Sequence, residues 1–292
     1  MILVTTPTGN TGAMILRQLV EQGEQVRIFV RDPEKISAGM LEKVEVATGS
    51  LLNESEFTEA LQECDTLYFC VPQSNTQEDV NAYYESFANV ASNAIKNAGT
   101  ERVVYLSSSG KESNLQAGLI TALHKSEDII NRSGASVRAL RCPVFYETLL
   151  YQIGSLKKTG MFSLPIDGNY KSPQIAVKDI ASKAAEFLID KTWTGVEGFA
   201  VQGPEDISYN EIALQMSELT GKPIRFQQVS KKDYIKTLLG EHHTSEAFAN
   251  SLTEMLTAIG NGLYDTETRT ETTATPTTIK EWMIENLVSK IK

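Results

Sequence analysis

Met1-Ile2-Leu3-Val4-Thr5-Thr6-Pro7-Thr8-Gly9-Asn10-Thr11-Gly12 opens the chain, and the fold is decided there. Met1 to Thr5 is a short apolar, partly β-branched run, and Gly9 and Gly12 precede an apolar-periodic segment. That order predicts strand, tight turn, helix. Gln25 to Val30 supplies a second strand and completes one βαβ unit. In such a unit the amino end of the helix, with unpaired N–H groups and a partial positive charge, faces the end of the first strand, where a diphosphate can sit. Glycines serve there because a Cβ would hold the phosphate off the backbone or the helix off the strand. The turn therefore predicts a dinucleotide site formed by Thr6, Thr8, Gly9, Asn10, Thr11 and Gly12. A full three-glycine fingerprint would place glycine at position 6, where this chain has Thr6.

Arg31 comes nineteen residues after Gly12, immediately past the second strand. An acidic side chain at that point accepts from the ribose 2′-OH of NAD, whereas a guanidinium pairs with the 2′-phosphate of NADP. Arg31, with Lys35 nearby, predicts NADP(H) as the preferred cofactor; Asp32 leaves NAD(H) open.

The strand-and-helix rhythm continues outward from this unit. Val44 to Ala47 reads as a third strand, and Asn53 to Glu63 as a helix capped by Asn53 with Glu56 at the capping-box position. Thr66 to Val71, apolar throughout and ended by Pro72, has the pattern of a parallel strand buried on both faces. A helix from about 77 to 98 ends at Gly99, and Arg102 to Leu106 delivers Ser107-Ser108-Ser109-Gly110 at its carboxyl end. A helix over 118–133 with Gly134 as its cap and a strand at Val137 to Leu140 follow. This alternation predicts an α/β fold with a doubly wound, mostly parallel sheet, on which ligands bind outside the carboxyl ends of the strands. That geometry adds Val71, Pro72, Ser107, Pro143 and Phe145 to the cofactor crevice. Past residue 145 the rhythm loosens, which predicts a nucleotide-binding domain over 1–145 and a smaller α+β lobe over 146–292 interleaved with the sheet edge. Helices are expected over 148–157, 179–190, 231–239, 246–259 and 278–291, a strand at Phe199 to Val201, an extended Pro223 to Phe226, and a capping box of Ser208 with Glu211.

Composition narrows the partners. With 292 residues the chain can bury a substantial core, and a formal net charge of −10 argues against nucleic acid or an anionic membrane surface. Three scattered cysteines suit a reducing compartment, and no signal peptide or apolar run of transmembrane length is visible, so a cytoplasmic location is expected. Neither histidines nor cysteines cluster with metal-ligand spacing.

The opening turn, Val30-Arg31-Asp32-Pro33, Ser107 to Gly110, Ser133-Gly134 with Leu140-Arg141-Cys142-Pro143, and Val177-Lys178-Asp179-Ile180-Ala181 together resemble the NmrA-like family of atypical short-chain dehydrogenase/reductases. The resemblance covers nearly the whole chain. It implies an extended Rossmann fold, a preference for NADP and a C-terminal lobe over the substrate side, among members that include quinone reductases and regulators that sense the cofactor without catalysis. Thr6, where the family has its first glycine, is the departure.

Short-chain reductases place a tyrosine four residues before a lysine on the helix after the fifth strand, the lysine lowering the phenol's pKa for proton delivery. Here those positions fall near Leu119 and Leu123, and the same spacing at Thr121 and Lys125 offers only a weakly acidic hydroxyl. His124 and Ser108 remain as candidate catalytic residues, one as proton donor and the other as a hydrogen bond to substrate. Ketone reduction generates a basic alkoxide that needs an acid, whereas a quinone accepting hydride becomes a delocalised phenolate that water protonates. The expected activity is hydride transfer from NADPH to a quinone or similar conjugated carbonyl; the alternative is a non-catalytic NADP(H) sensor acting on a protein partner. Tyr83, Tyr84, Phe145, Tyr146, Phe162 and Tyr170 are the aromatic residues available to line a flat pocket or to pack in a core.

Overall fold

The computed structural model describes residues 1–291. Its first part runs β1 (Ile2–Thr5), α1 (Asn10–Glu21), β2 (Val26–Val30), α2 (Ala38–Leu41), β3 (Glu45–Thr48), α3 (Glu54–Leu61), β4 (Thr66–Phe69), α4 (Val80–Ala98), β5 (Arg102–Ser108), α5 (Leu119–Ile130) and β6 (Ser136–Cys142). The chain continues with β7 (Val144–Phe145), α6 (Ile153–Thr159), β8 (Met161–Leu164), β9 (Ser172–Ile175), α7 (Val177–Ile189), β10 (Val196–Ala200), β11 (Asp206–Ile207), α8 (Tyr209–Thr220) and β12 (Arg225–Gln228). It ends with α9 (Lys231–Glu241), α10 (Glu246–Gly260), α11 (Ile279–Asn286) and α12 (Val288–Ile291).

Seven strands form one parallel sheet in the order β10-β6-β5-β4-β1-β2-β3. The chain leaves β1 toward β2 and β3, then returns to the other side with β4, so the order reverses between β1 and β4. That reversal opens the crevice at the carboxyl ends of the strands. Thr5 fixes its mouth: the buried hydroxyl donates to the Tyr68 carbonyl at 2.9 Å and accepts from the Cys70 N–H at 3.3 Å, tying β1 to the end of β4.

Helices cover both faces. α1 and α7 pack together on one side, joined at their surface by Gln18 and Ser182, and bury Ile15, Leu19, Ile180 and Ala184 against Val4 and Ile28 of the sheet. α3, α4 and α5 form the other layer over Leu3, Phe69 and Tyr105. The segment from Val177 to Ala200 thus returns to the sheet, supplying α7 and the edge strand β10. A separate core lies between α6, α8, α10, α11 and α12, around Tyr146, Phe162, Ile212, Leu256 and Trp282. Two small sheets, β11-β9-β7 and β12-β8, border it.

Several local expectations are corrected by this geometry. Ser107 and Ser108 lie inside β5, which runs two residues further because both pair across to β6. α5 stops at Ile130 with Asn131 as its cap, and Gly134, at φ +91°, makes the turn into β6 instead. Asn53 caps α3, but the Glu56 carboxylate accepts from the Ser50 N–H and leaves the reciprocal half of the box unmade. The stretch near 148–157 is a 3-10 turn over Tyr146–Gln152 leading into α6, and the last helix is broken into α11 and α12 at Leu287. The Ser208–Glu211 capping box is complete. No helix among the described residues is long and apolar enough to cross a membrane.

Candidate functional site

The turn after β1 is made almost wholly of backbone. Thr6 adopts φ +50°, the left-handed conformation a glycine would take freely, and its carbonyl accepts from the Gly9 N–H at 3.0 Å. Gly12 has no alternative: a Cβ there would stand 2.3 Å from the Thr6 carbonyl oxygen, so α1 can approach the turn only with hydrogen at that position. Gly9 is different, since its Cβ would lie 3.4 Å from the nearest atom, an ordinary contact. α1 begins without a side-chain cap and without an acidic residue in its first turn. Asn53, Asp79, Ser208 and Ser245, by contrast, each satisfy an N–H at the start of α3, α4, α8 and α10. The positive end of α1 is thereby left open to an anion, with Thr8, Gly9 and Asn10 exposed around it and Thr11 buried behind.

At the end of β2 the charges sort themselves. Asp32 accepts from the Glu34 N–H at 3.2 Å and pairs with Lys35 at 3.6 Å, which turns its carboxylate into the following 3-10 turn. Arg31 is exposed and makes no ion pair or hydrogen bond among the described residues. Its charge acts on the Tyr83 phenol, whose hydroxyl donates to the Pro72 carbonyl at 2.9 Å and so anchors the loop after β4 to α4. Val71 and Pro143 are buried, and Phe145 in β7 is half-buried against the α1–α7 layer.

The exit of β5 is built from side chains. The Ser107 hydroxyl donates to Glu127 Oε2 at 2.5 Å. Glu127 on α5 is wholly buried, and its other oxygen receives Arg141 Nη2 at 2.9 Å and Lys111 Nζ at 3.4 Å. Lys111 also reaches Asp128 at 2.7 Å and the His124 carbonyl at 3.0 Å. Ser108 donates its hydroxyl to the Cys142 carbonyl at a long 3.3 Å, and its own carbonyl lies 2.8 Å from His124 Nε2. A carbonyl only accepts, so Nε2 carries the hydrogen. Burial lowers the His124 pKa against the opposing pull of Ser108 and Glu127, so the ring is neutral near pH 7 and presents Nδ1 as an acceptor.

Sequence reasoning places Ser107, Ser108 and His124 here but misses Arg141, Lys111 and Glu267 as members. Glu267 Oε1 accepts from the Gly110 N–H at 3.3 Å, and burial raises its pKa. On α5, Leu119 and Leu123 pack into the core, the Thr121 hydroxyl accepts from the Ala117 N–H, and Lys125 turns outward to Asn81. No tyrosine–lysine pair forms on that helix. Of the aromatic candidates, Tyr84, Tyr146 and Phe162 are core residues; Tyr146 packs on Trp282 with its hydroxyl toward the Thr277 carbonyl. Tyr170 bonds Asp265. Among the described residues no group of three or more His, Cys, Asp or Glu side chains is arranged to hold a metal ion.

Residues 1–283 match the model of the NmrA-like family. The chain is 27% identical over 256 residues to a (4-alkanoyl-5-oxo-2,5-dihydrofuran-3-yl)methyl phosphate reductase of Streptomyces griseus, covering 86% of each chain. It is 24% identical over 255 residues to an NAD(P)H azoreductase of Xenophilus azovorans, covering 87% of this chain and 86% of that one. In structure it matches the NADPH-dependent quinone oxidoreductase of Escherichia coli, solved with NADPH, at a TM-score of 0.84 and 20% identity over 98% of this chain and 99% of the other.

Proposed function

From the premise that the chain belongs to the NmrA-like family, we propose that it is an oxidoreductase that binds NADPH across the β1–β4 crevice and passes hydride to a quinone or similarly conjugated acceptor. One observation carries the cofactor assignment: an uncapped helix start at the sheet's point of reversal, flanked by an exposed arginine without a partner. The N–H groups of Asn10, Thr11 and Gly12 hold the diphosphate, with the hydroxyls of Thr6 and Thr8 beside them. Gly9, which the fold itself does not require, leaves room for a phosphate oxygen. Arg31 pairs with the 2′-phosphate, with Lys35 a second cation nearby. NADH fits the same turn without that pairing. Val71 and Pro72 border the crevice on the β4 side; Ser107, Pro143 and Phe145 border it beyond β5 and β6.

Bound NADPH supplies the hydride. The protein's part is orientation and the exclusion of water. A conjugated acceptor spreads its new negative charge over several atoms, so no strong acid is needed, and α5 carries none. The related azo, dihydrofuranone and quinone reductases all carry names of conjugated electrophiles. Ser108 donates to the acceptor's oxygen, exchanging its long bond to Cys142. His124 keeps Ser108 in place through its carbonyl and serves as a proton donor only at acidic pH, where its lowered pKa is crossed. The reducing cytoplasm suits three cysteines that stay free thiols.

A second reading rests on the same bare α5: a sensor that binds NADP(H) and signals to a protein partner without turnover. NADPH absorbance followed against quinone, azo and butenolide acceptors, beside calorimetry with NADPH, NADP+ and NADH, separates the two. Consumption supports the reductase, binding without consumption supports the sensor, and absence of any binding overturns both.

A further inference from the structure

A buried donor that the fold leaves unpaired lies past the end of β6. Among the described residues, the side chains no more than 4% exposed that hold a polar atom without a hydrogen-bond partner are Thr66, Tyr68, Thr100 and Gln174. Thr66 opens β4 and Thr100 precedes β5, both at the amino ends of the strands, and Tyr68 lies within β4. Gln174 alone stands beyond the carboxyl ends, the side on which ligands bind. It is 1% exposed, and its Nε2 has no partner. β9 carries it in register with Val144 of β7, just after β6 in the chain. The next pair, Phe145 with Ile175, turns to the α1–α7 layer, so Val144 and Gln174 face the other way, toward the lobe core that meets Ala117 and Ile120 at the start of α5. The backbone is pinned there: the Gln174 carbonyl accepts from the Gly203 N–H at 3.1 Å, and a Cβ at Gly203 would stand 2.1 Å from that oxygen.

Resting on the reductase reading above, we propose that Gln174 is a ligand-binding residue: its side-chain amide donates to a carbonyl oxygen at the hydride-transfer end of the crevice, carried either by the conjugated acceptor or by the carboxamide of the nicotinamide. Strand order places it at that end. Arg31, read as the partner of the 2′-phosphate, lies past β2 on one side of the β1–β4 reversal, whereas β5, β6 and the segment bearing Gln174 lie on the other. A dinucleotide spans that reversal, so its nicotinamide and the acceptor beside it reach toward Gln174. An unpaired buried N–H lowers the stability of the ligand-free protein, because its bonds to water are lost on folding and none replaces them. An apolar side chain of the same length would fill the space without that cost. The amide is accounted for by a bond that forms only when ligand arrives. Being uncharged, it orients the carbonyl without titrating and transfers no proton.

The test uses the full chain with Gln174→Met, which keeps the length of the side chain and removes its donor. Two results are expected together. Without ligand, the urea midpoint should rise by roughly half a molar, since an unpaired polar group has left the interior. With ligand, one constant should weaken about tenfold, the worth of one hydrogen bond. That constant is the KM for a quinone at saturating NADPH if the oxygen belongs to the acceptor, or the NADPH dissociation constant by calorimetry if it belongs to the carboxamide. A lower urea midpoint overturns the assignment, because the amide then serves the fold; so does a raised midpoint with both constants unchanged. Should Gln174→Met fail to fold, Gln174→Leu is measured in its place, and failure of both overturns the assignment as well. Neither the midpoint nor the calorimetry depends on turnover. A wild-type protein that binds NADPH yet reduces no acceptor therefore overturns the reductase reading, while Gln174 still stands or falls by those two measurements.

Discussion

At the β1–α1 turn nearly every contact is made by backbone, and the start of α1 keeps its N–H groups for something outside the chain. At the β5 exit the reverse holds: Ser107, Lys111, Glu127 and Arg141 satisfy one another, and the wholly buried Glu127 carboxylate receives three donors. One end of the crevice is therefore built to receive charge, the other to hold a shape. Mutations at the two ends should separate binding from stability.

The largest effect is expected at Glu127. Glu127→Ala removes the acceptor shared by Ser107, Arg141 and Lys111, and breaking such a buried pair costs about 3–5 kcal/mol. Arg141 keeps Glu112 and Lys111 keeps Asp128, which favours the lower end. Thermal or urea unfolding measures the loss, while the NADPH dissociation constant of the folded fraction should stay within a fewfold. A stability change within error would show that the cluster is surface decoration and would break the contrast.

Gly12→Ala should do the opposite in proportion. The added methyl has to move the Thr6 carbonyl, at about 1–3 kcal/mol of strain, and that shift displaces the N–H groups meant for the diphosphate. NADPH affinity should fall roughly a hundredfold, equivalent to about 3 kcal/mol. Calorimetry showing unchanged affinity in a folded Gly12→Ala protein would remove the turn from the binding site. Arg31→Ala is a smaller and more selective change: about tenfold weaker NADPH with NADH unaffected, the loss of a charge-assisted contact to the 2′-phosphate. Equal loss for both nucleotides would reassign that guanidinium.

The two ends also differ in how far they were legible. Gly9, Gly12 and Arg31 lie within one βαβ unit, so spacing alone brings them together, and the seven-strand sheet follows from the alternation of buried runs and helices. Thr6 shows the limit even there: the positive φ a glycine would take is kept by a threonine, which a pattern of glycines cannot reveal. At the β5 exit the serines were visible, but their partners come from the loop after β5, α5, β6 and the segment after α10. Nothing local in Arg141 or Glu267 marks them, because their meaning is set by burial and by neighbours more than a hundred residues away in the case of Gly110 with Glu267. Strands such as β9, Ser172–Ile175, were missed for a related reason: a proline at its second position reads as loop, and pairing with β7 and β11 makes it a strand.

The smallest effect tests how firmly burial holds the shape of the β5 exit. His124 is held neutral by burial, with Lys111 and Arg141 also opposing its protonation and Glu127 favouring it. Its folded pKa is below its ordinary value of 6.5, so above that value neither state gains from the ring. As pH falls from there, the unfolded chain binds a proton that the fold refuses, and stability declines until the lowered folded pKa is passed. One proton can contribute at most about 1.4 kcal/mol per pH unit. Glu267 complicates the raw curve, since its raised pKa makes the fold lose stability as pH rises through the acidic range. The difference between wild type and His124→Gln isolates the histidine: the amide still donates to the Ser108 carbonyl but does not titrate. Urea midpoints measured from pH 7 down to about pH 5 should fall less steeply for His124→Gln than for wild type. Parallel curves would mean that the imidazole takes its proton as readily in the fold as outside it, and that water reaches the floor on which Ser108 rests.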